Sequence, residues 1–318
     1  MTPPQPQPLF LAGPTAVGKT EVAILLAERF GAEIISVDSM LVYRGMDIGT
    51  AKPSAQDRAR VAHHLIDVVD LSQPFDAAQF VSLARAAEKE IAARGHRVLY
   101  CGGTGLYFRA LLHGLGESPA TDPAVRAELE QTPPAELLSE LAQRDPATFA
   151  VIDRQNLRRV FRALEVIRVS GRPYSELRAR WQSTTKDPAT PRIIGLNRAH
   201  ADLHARINAR VDAMFEAGLV AEVRQLLDQG LTENRNAMQA LGYRQVVEHL
   251  QGQRTLPETI DLVKRRTRHF AKHQMTWFNK QAAMEWIDVP AATEASAIAM
   301  QILSTATFKN RLWTTTNS

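Results

Sequence analysis

The sequence predicts an α/β protein: a parallel sheet flanked by helices and interrupted by an all-helical insertion. Three observations carry this. In the first hundred residues short apolar runs alternate with helical periodicity, the pattern of a parallel sheet covered on both faces. Gly13-Pro14-Thr15-Ala16-Val17-Gly18-Lys19-Thr20 matches the phosphate-loop pattern GxxxxGK(S/T) without mismatch, between an apolar run and a helical one. From about Glu117 to Pro191 no strand pattern occurs, and Ile193-Ile194-Gly195-Leu196 then resumes it.

Leu9-Phe10-Leu11-Ala12 is the first strand. In the loop that follows, glycines let backbone amides converge on phosphate oxygens, and the next helix adds partial positive charge at its N-terminus. Lys19 is placed to reach the outer phosphate and Thr20 to ligate Mg²⁺. Glu21–Phe30 is a helix with apolar Val22, Ile24, Leu25, Leu26 and Phe30. This strand–loop–helix unit makes the core P-loop NTPase-like. Glu33–Val37 is a second strand, and Asp38 follows at its carboxyl end, where parallel sheets place their chemistry. Asp38 can hold Mg²⁺ through water, act as a general base, or cap the next turn. The adjacent His63 and His64 lack metal-ligand spacing and read as packing or capping residues. After a helix over Ala78–Arg94, the strand Val98–Cys101 runs into Gly102-Gly103-Thr104-Gly105. That turn lets a backbone approach a ligand closely and brings the Thr104 hydroxyl to the same crevice.

The insertion spans residues 117–190, and the core comprises 1–116 and 191–318. Its first part, Glu117–Asp145, holds seven acids against Arg126 and Arg144. Its second part reverses this, with Arg154, Arg158, Arg159, Arg162, Arg168, Arg172, Arg178 and Arg180 against Glu165 and Glu176. Beyond it come the strand Arg192–Leu196 and helices over Leu203–Glu216, Val220–Gln229 and Glu258–Asn279. Within Lys264–Lys280 six Lys and Arg residues face no acid, and Phe270, Trp277 and Phe278 are interleaved, a composition suited to a polynucleotide backbone and an unstacked base. Residues after about Pro290 are biased to Ala, Thr and Ser and read as weakly ordered.

Composition bounds the function. The chain has 318 residues and a formal net charge of +4, so a polyanionic partner fits without being demanded. A single cysteine, Cys101, excludes an intrachain disulfide and fits a reducing cytoplasm. No apolar run approaches the roughly 20 residues of a membrane span, and Met1–Pro8 reads as a frayed tail without signal-peptide features. No membrane association and a monomer without an obligate protein partner are the expectations. The guanine-reading motif Asn-Lys-x-Asp is absent, as is a strand ending in the paired acids of a hydrolytic ATPase. From the residues alone, an ATP-dependent small-molecule kinase with a helical lid and an RNA-binding protein with a relic nucleotide site both remain open.

Nine segments in series resemble one family. They are the phosphate loop, Ser36-Val-Asp-Ser-Met-Leu-Val-Tyr43, Gly45-Met-Asp-Ile-Gly-Thr-Ala-Lys-Pro53, His63-His-Leu-Ile-Asp67 and Gly102-Gly-Thr-Gly-Leu-Tyr107. Further on come Asn156–Val166, Arg206-Ile-Asn-Ala-Arg-Val211, Gln239-Ala-Leu-Gly-Tyr-Arg244 and Arg266–Phe278. Together they resemble the tRNA dimethylallyltransferases. The resemblance implies transfer of the prenyl group of dimethylallyl diphosphate to N6 of the adenine 3′ of a tRNA anticodon, with Mg²⁺ as cofactor and diphosphate as leaving group. It implies catalytic roles for Asp38, Thr104 and Arg210. It assigns the diphosphate to Gly13, Pro14, Thr15, Ala16, Val17, Gly18, Lys19 and Thr20. Contact with the anticodon stem-loop then falls to Asp38, Ser39, Met40, Leu41 and Thr104 at the strand ends, and to Arg126, Arg158, Arg159, Val160, Phe161 and Arg162 in the insertion. It also falls to Gln239, Gly242, Tyr243 and Arg244, and to Arg266, Arg268, Lys272, His273, Gln274 and Trp277 on the last basic segment. Three residues depart from the pattern. Leu41 stands where many members carry Gln, and His273 and Asn279 stand where a basic residue is usual, which removes cationic character at pH 7.

Overall fold

The computed structural model describes residues 7–177 and 193–305. The chain divides into two compact units, Met1–Leu112 with Ser183–Ser318, and His113–Gln182. The first unit opens with β1 (Leu9–Ala12), α1 (Lys19–Phe30), β2 (Ala32–Val37), α2 (Ala55–Arg60), β3 (His63–His64), α3 (Ala77–Ala93), β4 (Arg97–Gly102) and α4 (Gly105–His113). The second unit holds α5 (Pro123–Gln131), α6 (Pro134–Arg144), α7 (Pro146–Val151), α8 (Leu157–Ser170) and α9 (Tyr174–Leu177). The first unit then continues with β5 (Ile193–Asn197), α10 (His200–Glu216), α11 (Leu219–Asp228), α12 (Tyr243–Leu250), α13 (Leu256–Gln281), β6 (Met284–Asp288) and α14 (Ala295–Ser304).

Among the described residues the sheet has six strands in the order β3-β2-β4-β1-β5-β6, every pair parallel. The chain begins at β1 in the interior, steps outward to β2 and β3, and fills the gap with β4. It then adds β5 on the other side of β1. The carboxyl ends of β1, β2 and β4 therefore lie side by side, with Ala12 opposite Gly102 and Gly102 opposite Val37. The period-2 geometry of the strands separates two cores. Phe10, Ile35, Val98 and Tyr100 face one, with Phe80, Phe108 and Phe278. Leu9, Leu11, Ile34, Leu99 and Ile194 face the other, with the apolar residues of α1.

Two features depart from the sequence reading. β6 went unexpected, because Met284-Glu285-Trp286-Ile287-Asp288 is a short, mixed edge strand; it pairs with β5 from Ile193 to Asn197. The segment after Pro290 is ordered through α14, whose Ile298, Ala299 and Ile302 are buried in the second core beside residues of α1. Its alanines and serines hide the periodicity in the sequence, but three apolar residues at i, i+1 and i+4 suffice for one packed face. Arg192, Arg178, Arg180, Met1–Pro6 and residues 306–318 lie outside the described residues.

The His63–His64 pair has a structural role. It forms β3, with His64 Nε2 lying 2.6 Å from Glu33 Oε2 on β2. Glu33 is buried and also receives Arg94 Nη2 at 2.7 Å and His96 Nδ1 at 2.7 Å. Burial by itself pushes the Glu33 pKa up, but the hydrogen bonds of Arg94, His64 and His96 overcome it and hold the carboxyl at about 2. The folded pKa lies below the unfolded value of about 4.3, so this stabilisation is complete above that value and is lost as pH falls towards about 2. Glu33→Gln accordingly lowers the melting temperature at pH 7 and flattens its acid limb. A thermal-melt series across that window in which both proteins fall in parallel refutes the assignment.

The second unit is held by a core of Leu129, Leu137, Leu141, Val160, Leu164 and Ile167. Its acidic and basic halves neutralise each other: Arg168 reaches Glu140 at 2.6 Å and Glu128 at 2.9 Å, and Arg162 reaches Glu165 at 3.0 Å. Arg158 and Arg159 remain exposed, with no side-chain partner among the described residues.

Candidate active site

The phosphate loop leaves β1 at Ala12 and delivers Lys19 and Thr20 on the first turn of α1. Lys19 Nζ donates to the Pro14 carbonyl at 2.7 Å. Loss of solvation lowers its pKa to about 8, with Arg210 adding to the effect and Asp38 opposing it. Three arginines brace the loop from the far side. Arg198, after β5, donates to Val17 O at 2.9 Å; Arg206 on α10 donates to Ala16 O at 2.9 Å; Arg210, one turn on, donates to Thr15 Oγ1 at 3.3 Å. Of these the sequence singled out Arg210 alone. The i, i+4 spacing of Arg206 and Arg210 on one helix was the available signal for the second.

Asp38 follows β2. Its Oδ1 accepts the Met40 N–H at 2.8 Å and the Leu41 N–H at 3.3 Å, an Asx-type turn that fixes the carboxylate. Its Oδ2 has no hydrogen-bond partner among the described residues. Thr104 stands on the neighbouring turn after β4, and its Oγ1 accepts the Ser39 N–H at 3.2 Å, which leaves the hydroxyl proton free to donate. Gly102 sets this closeness: a Cβ there would lie 2.1 Å from Val37 O, so only glycine lets the ends of β2 and β4 meet.

These groups open onto one cavity of about 440 Å³. Thr15, Lys19, Thr20, Asp38, Thr104, Arg210 and Gln274 form its polar part. Met40, Leu41, Ile207, Val211, Met214, Val263 and Phe270 form its apolar part. The α10 contributors recur at i, i+4 and i+7, as do Val263, Thr267 and Phe270 on α13, so one stripe of each helix faces the cavity. A second cavity of about 400 Å³, bounded by Ala16, Gly18, Glu21 and Arg206, shares Lys19, Thr20 and Arg210 with the first. Cys101 lines the larger cavity as a neutral thiol, since burial pushes its pKa up to about 11.

The segment 47–51 closes one wall and is anchored by Glu222 on α11, a residue the sequence did not flag. Glu222 accepts the N–H groups of Asp47, Ile48 and Gly49 at 3.1, 2.7 and 3.4 Å, and the Tyr243 hydroxyl at 2.6 Å. Lys52, buried against Asp47 and Asp67 at 2.6 and 2.5 Å, ties the same segment to the His63–Asp67 stretch. Arg210 Nη2 donates to Thr50 O at 3.4 Å.

Several residues expected on RNA are placed elsewhere. Tyr243 is fully buried beneath Gly49, and Gly242 is buried at the start of α12. Val160 is a core residue of the second unit, where a contact with RNA would require unpacking it. Arg162 is engaged by Glu165 and by the Pro119 carbonyl at 2.6 Å, and Arg126 by Glu130 at 3.1 Å and by the Phe161 ring 5.0 Å below it. Gln274 is 8% exposed and hydrogen-bonded at both ends to the protein's own backbone. Trp277 packs edge-on to Phe278 and over Gly105, and Phe278 is core. The exposed face of α13 keeps Arg266, Lys272 and His273, while Arg268 donates to Asn208 at 2.6 Å. Arg244 is exposed and paired with Glu248 at 3.0 Å. Gln239 is exposed and lines the cavity, as does Phe270, which is 43% exposed.

A phosphate loop, a fixed carboxylate and a threonine hydroxyl at adjacent carboxyl ends of a parallel sheet define a P-loop-type α/β protein with an enzyme-like centre. The family model described as IPP transferase matches residues 41–281. The chain is 47% identical over 288 residues to "tRNA dimethylallyltransferase 2" of Geotalea uraniireducens, covering 89% of this chain and 92% of that protein. It is 44% identical over 298 residues to "tRNA dimethylallyltransferase" of Geobacter sulfurreducens, covering 92% and 96%. Among solved structures it resembles the full-length tRNA isopentenylpyrophosphate transferase of Bacillus halodurans, with a TM-score of 0.70 and 39% identity over 96% of this chain and 98% of that one. It also resembles a eukaryotic dimethylallyltransferase described as acting on tRNA, with a TM-score of 0.75 and 26% identity over 95% and 77%. The chain belongs to the IPP transferase family, that of the tRNA dimethylallyltransferases.

Proposed function

We propose that this chain transfers the dimethylallyl group of dimethylallyl diphosphate to N6 of the adenine 3′-adjacent to the anticodon in tRNA, releasing diphosphate. The observation that carries the reading is the shared cavity: a phosphate loop and a carboxylate with one oxygen unpartnered meet there beside an apolar wall. The wall suits a branched five-carbon chain, and the loop suits its diphosphate. In the reaction the adenine nitrogen attacks the allylic carbon, an N–C bond forms, and the C–O bond to diphosphate breaks. The N6 proton passes to Oδ2 of Asp38. Negative charge grows on the departing oxygen, where Lys19, the guanidinium of Arg210 and the Thr104 hydroxyl can receive it. The adenine leaves its stack to reach this depth. Exposed Arg266, Lys272 and His273 on α13 and exposed Arg158 and Arg159 on α8 supply phosphate contacts to the anticodon stem-loop.

Mg²⁺ fits the donor set in a limited way. Thr20 lines both cavities, and no cluster of three or more His, Cys, Asp or Glu residues exists among the described residues. The ion would take Thr20 from the protein and its other oxygens from the diphosphate and water, and it would neutralise charge on the leaving group. Among the described residues no helix is long and apolar enough to cross a membrane. Action on tRNA in the cytoplasm, as a monomer without an obligate protein partner, completes the reading.

Incubation of unmodified tRNA with labelled dimethylallyl diphosphate tests it, alongside an ATP-consumption assay. Label enters the tRNA at the adenine 3′ of the anticodon and ATP is untouched. Folded protein that consumes ATP, or that binds RNA without transferring label, refutes the proposal.

A further inference from the structure

We infer that Gln274 is a positioning residue for prenyl transfer: it fixes the phosphate loop to the Gly103–Thr104 turn and does not read RNA. The inference rests on the donor site proposed above. β1 and β4 are neighbours with Ala12 opposite Gly102, so the loop after β1 and the turn after β4 leave the sheet side by side. Beyond the sheet the ladder no longer holds them together. Gln274, on α13 and 259 residues from Thr15 in sequence, lies between them. Its Oε1 accepts the Thr15 N–H at 2.9 Å, and its Nε2 donates to the Gly103 carbonyl at 3.0 Å. A side-chain amide both donates and accepts through one short planar group at every pH, where a carboxyl does so only when protonated. Gly103 makes the room: a Cβ there would lie 2.4 Å from Gln274 Nε2.

Two consequences bear on the chemistry. The Thr15 N–H is committed to Gln274, so the clamp holds the loop in the conformation that the diphosphate meets, and its loss weakens diphosphate binding. The Thr15 hydroxyl accepts from Arg210, so the same clamp sets where that guanidinium stands relative to Thr104. Displacing reacting groups by about 1 Å can cost on the order of 100-fold in rate. Gln274 has His273 as its neighbour on the exposed face of α13, but its own side chain points inward.

Two variants test this. Gln274→Met keeps the volume and removes both hydrogen bonds. It lowers kcat/KM for dimethylallyl diphosphate by about 100-fold and leaves the tRNA Kd within about threefold, as expected for a group that acts on the donor side. Gln274→Glu accepts from Thr15 but, when ionised, repels the Gly103 carbonyl; when protonated, it restores the donor. Its activity relative to wild type therefore recovers as pH falls from about 8 towards about 5, near ordinary carboxyl values, whereas that of Gln274→Met does not. Calorimetric binding of inorganic diphosphate gives an arm independent of transfer, and both variants weaken it at pH 8. A parallel loss of tRNA affinity in Gln274→Met, or diphosphate binding and turnover within twofold of wild type, overturns the inference. If wild-type protein transfers nothing, the reading of the reaction fails, and the diphosphate arm still decides the role of Gln274.

Discussion

Asp38→Asn lowers turnover by about 10²- to 10⁴-fold, the range that a positioned base contributes, and leaves tRNA affinity within a few-fold of wild type. The substitution is close to isosteric. The amide oxygen can still accept the Met40 and Leu41 N–H groups, so the turn that carries Ser39 and Met40 persists. What it removes is the second carboxylate oxygen, the acceptor without a partner on the cavity side. An exocyclic adenine amine is a weak nucleophile because its lone pair is delocalised into the ring, and it needs an acceptor for the proton it sheds. A fall in kcat with unchanged tRNA KM marks an interaction made in the transition state. Asp38→Ala loses the turn as well, so it falls further in turnover and also in melting temperature. Single-turnover transfer of labelled donor, set beside filter binding of tRNA, separates the two effects. If affinity and turnover fall by the same factor in Asp38→Asn, the carboxylate binds substrate and is not the base.

The parts of this site that were legible in the sequence are local. Gly13–Thr20 declares itself because strand, loop and helix start are contiguous, and Asp38 and Thr104 because each directly follows an apolar strand. The parts that escaped are contributed from afar. Arg198 reaches Val17 across 181 residues and Glu222 reaches Ile48 across 174, and no periodicity announces a pairing of that length. Membership of a recognisable segment also says nothing of direction. Val160 and Tyr243 lie in basic or polar segments that read as RNA-facing, yet both side chains are buried, while Arg158, Arg159 and Arg244 beside them are exposed. Charge counting failed in the second unit for a related reason. The second half of the insertion counts eight arginines against two acids, but Arg162 and Arg168 are held by acids, so charge in a run is additive only where the helices leave it unpaired.

Affinity for dimethylallyl diphosphate weakens about tenfold per pH unit above pH 8, as the site loses the charge on Lys19. Burial, helped by the Arg210 cation, lowers the Lys19 pKa to about 8 in the free protein. A bound diphosphate favours the ammonium and raises that pKa again. Between the two values, binding must take up a proton, so the apparent Kd climbs with pH; below the lower value the lysine is charged in both states and the Kd is flat. The sign is fixed by the direction of the shift, since a lysine with an ordinary pKa of about 10.4 would place the onset two units higher. Other groups at the cavity do not mimic this onset. The donor's last phosphate ionisation lies near 6, and the Cys101 thiol, pushed to about 11, stays neutral. Lys19→Arg keeps a charge at every accessible pH and abolishes the slope. Lys19→Met abolishes it too, and lowers turnover by about 10²- to 10³-fold, as loss of one preorganised group at a developing oxyanion does. Isothermal titration in buffers of different ionisation enthalpy counts the proton directly. A wild-type Kd that stays flat from pH 7 to 10 means that Lys19 is charged throughout and overturns the lowered pKa, and a slope that survives in Lys19→Arg assigns the proton to a group other than Lys19.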